Sequence, residues 1–216
     1  MKKHKLLISF LLIFSCFSVF AQDPTRFNEK VKQINEENPP QNNQNTIVFT
    51  GSSTIRMWKS LQEDFPKHEL VNSGFGGSQA SDLLYFLNEL VLVYNPSKVF
   101  IYEGDNDISA GKSSEEILDD YKNITTKIHE SGPETEIILI SPKPSVARWE
   151  LKDKYLDFNS KLKKFAAGKK NVKYADLWRP MLDKNKEPMK DIFIEDNLHM
   201  NQKGYAIWAK IIRKYL

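Results

Sequence analysis

Hydrophobic positions along the chain fall into two alternating patterns. Five short apolar runs lie over 46–50, 69–72, 98–102, 136–140 and 171–175. Ile47-Val48-Phe49, Val99-Phe100-Ile101 and Ile137-Ile138-Leu139-Ile140 are nearly continuous within them. Continuous runs of this length suit strands buried on both faces of a parallel sheet. The stretches between them repeat at helical spacing. Leu83, Leu84, Leu87 and Leu90 mark one face, and Ile117, Leu118, Tyr121, Ile124 and Ile128 mark a second, which Ser113 or Ser114 can cap. Tyr155, Phe158, Leu162 and Phe165 form a third, and Ile207, Ile211 and Tyr215 follow a helix start near Asn201. Strands alternating with helices predict βαβ units and a doubly wound α/β sheet. Ahead of the first strand, Phe27, Val31 and Ile34 predict a short amphipathic helix, ended by the polar run 38–45.

The start of the chain breaks this pattern. Lys2, Lys3 and Lys5 precede an apolar run over 6–20, with Val19 and Ala21 at small-residue cleavage positions. The run is short for a membrane span and has the charged start of a secretory signal. The expected division is a signal peptide over 1–21, a helix and polar connector over 22–45, and one domain over 46–216. An uncleaved anchor and a lipidated Cys16 are the alternatives. Cleavage would leave a secreted or periplasmic protein without stable membrane insertion. It would also change the charge. The whole chain carries +3, but residues 1–21 hold three lysines and no acid, so the remainder is formally neutral. That argues against nucleic-acid binding, which relies on a basic excess. The single cysteine lies in the same segment, so the remainder has no disulfide, thiolate nucleophile or cysteine metal site.

In a parallel sheet the C-terminal ends of all strands share one edge, where ligands bind. Three loops are predicted to meet there: Gly51-Ser52-Ser53-Thr54 after the first strand, Gly74-Phe75-Gly76-Gly77 after the second, and Gly104-Asp105-Asn106-Asp107 after the third. The segment before the last helix can bring Asp196-Asn197-Leu198-His199 to the same edge. A serine hydroxyl becomes nucleophilic when a base takes its proton, and a carboxylate beside that base fixes its tautomer. Ser53, His199 and Asp196 fit these roles. The Ser53 and Gly77 N–H groups and the Asn106 amide fit the donors that an oxyanion needs. Alone, each block fits an ordinary turn or helix cap better than a site. The order of the set is what carries information.

The four blocks resemble those of the SGNH (GDSL-type) hydrolase family, in the family order and across nearly all of the chain after the signal. The resemblance is closest to the branch similar to the platelet-activating-factor acetylhydrolase catalytic subunit, which shares the Asn72-Ser73-Gly74-Phe75-Gly76-Gly77 block. It implies a flavodoxin-like three-layer α/β/α fold with a five-stranded parallel sheet in the order 2-1-3-4-5. It also implies serine esterase chemistry with no cofactor and no metal, and Gly77 rather than Gly74 as the oxyanion glycine. In one respect the chain departs from the family: Ser52 stands where the usual first block has Asp, so Ser52 competes with Ser53 as nucleophile.

The expected substrate is a small ester or an O-acylated glycan, with removal of a short acyl group, acetyl foremost. A lysophospholipase-like lipid esterase and a non-catalytic binding module on the same fold are the alternatives. Glu103, Asp105 and Asp107 at a strand end also raise a metal-assisted phosphoesterase. Arg148 and Trp149, after the fourth strand, are candidate contacts for an anionic or sugar-like substrate. Nothing in the sequence addresses oligomeric state.

Overall fold

The structure, a computed structural model, describes residues 23–40 and 45–216. The expected signal segment and part of the polar connector lie outside the described residues. Five strands form one sheet: β1 (Ile47–Gly51), β2 (Leu70–Asn72), β3 (Lys98–Tyr102), β4 (Glu136–Ile140) and β5 (Val172–Ala175). All neighbours run parallel, in the order β2-β1-β3-β4-β5. This is the flavodoxin-like sheet expected from the pattern and the resemblance.

The helices in chain order are α1 (Asn28–Glu37), α2 (Ser53–Arg56), α3 (Leu61–Asp64), α4 (Ala80–Tyr85), α5 (Leu87–Leu90), α6 (Asp105–Ser109), α7 (Ser114–Ser131), α8 (Lys152–Ala167) and α9 (Gln202–Ile212). Successive strand residues point to opposite faces, so each strand feeds two cores. Val48, Val99, Ile101, Ile137 and Leu139 pack under α1, α4, α5, α7 and α8. Ile47, Phe49, Phe100, Ile138 and Ile140 pack under α2, α3 and α9. That is why the strands read as continuous apolar runs. The α7 start is a reciprocal cap: Glu116 N–H donates to Ser113 Oγ, and Ser113 N–H donates to Glu116 Oε2. The single helix expected over Leu83–Leu90 is two, broken at Phe86, whose buried ring meets Phe75 edge-on.

The second core is aromatic and lies directly beneath the first strand–helix turn. Phe49 stacks on Phe100 at 4.3 Å, and Trp58 meets Trp208 at 5.8 Å. Each such side chain, once fully buried, is worth about 1.5–3 kcal/mol relative to exposure. This cluster anchors α2 from below. Tyr205 on α9 donates its hydroxyl to the Thr54 carbonyl at 2.9 Å, joining the serine turn to the C-terminal helix. At the end of β1, Gly51 has φ +133°, and a Cβ there would lie 2.0 Å from the Tyr102 carbonyl oxygen. Only glycine lets the chain leave the sheet at this point. Among the described residues no helix is long and apolar enough to cross a membrane.

Candidate active site

Ser53 opens α2, immediately beyond Gly51 and the extended Ser52. Its Oγ lies 2.8 Å from His199 Nε2, and His199 Nδ1 lies 2.5 Å from Asp196 Oδ2. With the Nδ1 proton directed at Asp196, Nε2 is free to accept from the Ser53 hydroxyl. Ser52 is 1 % exposed, and its backbone N–H donates to the Tyr102 carbonyl. The hydroxyl facing the imidazole is therefore that of Ser53.

The Asp196–His199 loop is built from local bonds. Asp196 Oδ1 accepts from the N–H groups of Leu198 and His199, both at 2.9 Å. Asn197 holds φ +57°, a left-handed conformation that asparagine tolerates. Ile194 N–H closes the loop on the His199 carbonyl, and Phe193 bridges Met200. Asn201 then caps α9 by accepting from Lys203 and Gly204. The carboxylate is shallow, with its side chain 42 % exposed. Its slight burial opposes ionisation, but the donors of His199 and Leu198 outweigh it and draw its pKa down to about 2.

The other half of the site is deep. Asn106, on α6, donates through Nδ2 to the Ser78 carbonyl at 2.8 Å and accepts at Oδ1 from Arg148 at 3.1 Å. Those bonds fix the amide rotamer and leave one Nδ2 proton for an acceptor. Gly77 has φ +85° and open space where a Cβ would stand. A Cβ on Gly74 would instead lie 2.4 Å from the Arg56 backbone N. Of the two, Gly77 is the glycine beside open space, and Gly74 packs against α2.

Next to Asn106 lies the buried Asp105. Arg148 Nη1 donates to it at 2.6 Å, Tyr102 at 2.9 Å, and Tyr155 through a short hydrogen bond; Lys143 Nζ is 3.7 Å away. Burial opposes ionisation of Asp105, but Lys143, Arg148 and the two hydroxyls hold its carboxyl below the ordinary range. Glu103 is the opposite case. Burial, then the nearby Asp107 charge, push its carboxyl well above the ordinary range. Its Oε2 is buried without a hydrogen-bond partner. Ser78 Oγ shares its one proton between Glu103 Oε1 at 2.6 Å and the Phe75 carbonyl at 2.9 Å.

These commitments bear on the remaining sequence candidates. Asp107 accepts from the N–H groups of Ala80 and Gly104 and pairs with Lys112. The three acids after β3 thus serve the fold, and among the described residues no group of three His, Cys, Asp or Glu side chains could hold a metal ion. The Arg148 guanidinium is engaged with Asp105 and Asn106 rather than directed at solvent. Trp149 stacks on Trp178 at 5.9 Å, with Lys152 over its ring. A cavity of about 450 Å³ opens between α1 and α2, lined by Lys30, Glu37, Arg56, Lys59 and Asn72, and Ser53 and His199 lie outside it. Lys143 and Ser78 have site positions that the sequence did not disclose. The only signal at Lys143 was its place between Pro142 and Pro144 at a strand end, which also fits a surface lysine.

The GDSL-like lipase/acylhydrolase family model matches residues 44–207, and the chain belongs to that family. It is a carboxylic ester hydrolase. No curated protein matches it. Its fold is shared with a Streptococcus pneumoniae protein carrying a provisional platelet-activating-factor name, at TM-score 0.79 and 24 % identity over 88 % of this chain and 92 % of that one. A GDSL-like lipase from Bacteroides thetaiotaomicron matches at 0.74 and 18 %, over 89 % and 98 %. A carbohydrate esterase family 3 protein from Talaromyces cellulolyticus matches at 0.65 and 16 %, over 79 % and 95 %.

Proposed function

We propose that the protein is a serine esterase that removes short acyl groups, acetyl foremost, from O-acylated carbohydrate after export directed by residues 1–21. The observation that carries the reading is the continuous bond path from Ser53 Oγ through the His199 ring to Asp196, at 2.8 and 2.5 Å. His199 takes the hydroxyl proton as Ser53 Oγ bonds to the ester carbonyl carbon. The oxyanion is met by the Ser53 and Gly77 N–H groups and the free Nδ2 proton of Asn106. Collapse breaks the bond to the leaving alcohol, which takes the proton from His199. A water then gives its proton to His199 and attacks the acyl carbon, and Ser53 leaves with that proton while the acid departs. The choice of a glycan draws on the carbohydrate esterase among the structural relatives and on the neutral charge of residues 22–216.

The test is covalent labelling with an organophosphorus ester, with peptide mapping, and turnover of p-nitrophenyl esters of increasing chain length beside acetylated sugars. The expected result is labelling at Ser53, loss of turnover in Ser53→Ala, and fastest release of acetyl. Labelling at Ser52 would sink the nucleophile assignment. A rate that climbs with chain length would replace the glycan by a lipid ester.

A further inference from the structure

The loop after β4 contains a charge that the ester-cleaving steps do not use. The Lys143 side chain is 0 % exposed, and a buried ammonium survives only where it is paired. Its partners come from two separate parts of the site. It donates to the Leu198 carbonyl at 2.7 Å, one residue before His199. It pairs with Asp105 at 3.7 Å, one residue before Asn106. The Phe193 ring lies 5.7 Å from Nζ. The loop that carries Lys143 is stiffened by flanking prolines, and its next turn supplies Arg148, which binds both Asp105 and Asn106. Ala147 N–H also donates to the Asn197 carbonyl at 3.1 Å, in the same base-bearing loop.

We propose that Lys143 is a positioning residue: its buried ammonium clamps the Asp196–His199 loop to the Asp105–Arg148 pair that orients Asn106. The proposal rests on the triad reading above. Within its own turn the Asp196–His199 loop is closed by local bonds, and those bonds set its shape without setting its distance from Asn106. The lysine sets that distance, because its two partners are the residues immediately preceding the base and the oxyanion amide. The imidazole and the amide must both be in place around one carbonyl carbon, and a misplacement of about 1 Å can cost about 100-fold in rate.

Lys143→Met keeps the length of the stem and removes the ammonium. We expect a folded protein whose kcat falls about tenfold to a hundredfold while KM stays within about twofold, since no group argued to touch substrate has changed. The bond between His199 Nδ1 and Asp196, closed within the loop, should keep its NMR resonance, which separates displacement of the loop from its unfolding. If the unpaired Asp105 prevents folding, Asp105→Asn/Lys143→Met removes both members of the pair, and the same split between kcat and KM is expected. A kcat within about twofold of wild type, or loss of the imidazole resonance together with kcat, would overturn the proposal while Ser53 labelling of the wild type stands. A wild type that is not labelled at Ser53 would overturn the triad reading and this one together.

Discussion

Two aspartates in the candidate site are both held ionised, by opposite means. Asp105 is enclosed, and its donors come from β3, the loop after β4, and α8. Asp196 is near the surface, and its donors all come from the following three residues. In the low-dielectric interior an unpaired carboxylate is expensive, so Asp105 must recruit partners from several elements, and in doing so it ties them together. At the surface water supplies much of the solvation, so a single turn suffices for Asp196. The oxyanion side is consequently set by tertiary packing and the base side by local sequence. The Lys143 contact to Leu198 links them.

The largest effect is expected at the base: His199→Ala should lower kcat by about 10,000-fold or more, with Asp196→Asn close behind, since a triad acts as a unit. Because the Asp196 pKa is drawn down to about 2, that carboxylate stays ionised on mild acidification. The acid limb of the wild-type rate profile should therefore persist above pH 4, and its absence in steady-state kinetics would count against a histidine base. Next comes the oxyanion side. Asn106→Ala should cost about 100- to 1000-fold in kcat, or roughly 2.7–4 kcal/mol. Arg148→Met, which frees the amide without removing it, should cost less than Asn106→Ala. Equal losses in the two variants would mean that Arg148 touches substrate itself.

The smallest effect is on stability. Burial holds the Glu103 carboxyl well above its ordinary range in the fold, so above that range the unfolded chain binds fewer protons. Stability due to this group is intact in acid and falls as pH rises through that range and beyond. Glu103→Gln, an uncharged stand-in that can still hydrogen-bond to Ser78, should raise Tm at neutral and alkaline pH more than at pH 4. A Tm difference independent of pH would show that Glu103 is ionised in the fold.

Much of the fold was legible because burial on both sheet faces forces continuous apolar strands, and packing on one face forces helical spacing. The five runs therefore marked β1 to β5, and the pair Ser113 or Ser114 marked the start of α7, where Ser113 is the cap. The break at Phe86 was not legible, since Leu83, Leu84, Leu87 and Leu90 keep helical spacing across it. At the site, Ser53, Gly77, Asn106, Asp196 and His199 stood out because strand ends share an edge. Arg148 was visible as a residue, but its direction was not: read as a contact for substrate, it turns inward to Asp105.

The sequence by itself determined the order of strands and helices, the edge on which the four blocks meet, and the local turn that joins Asp196 to His199. These follow from spacing along a single segment. Tertiary structure alone decided which serine faces the imidazole, that the Glu103 carboxyl is pushed up while that of Asp105 is held down, and that Lys143 is buried rather than a surface charge. The reason is that the state of an ionisable side chain depends on its surroundings, and those are supplied by segments far away in the chain.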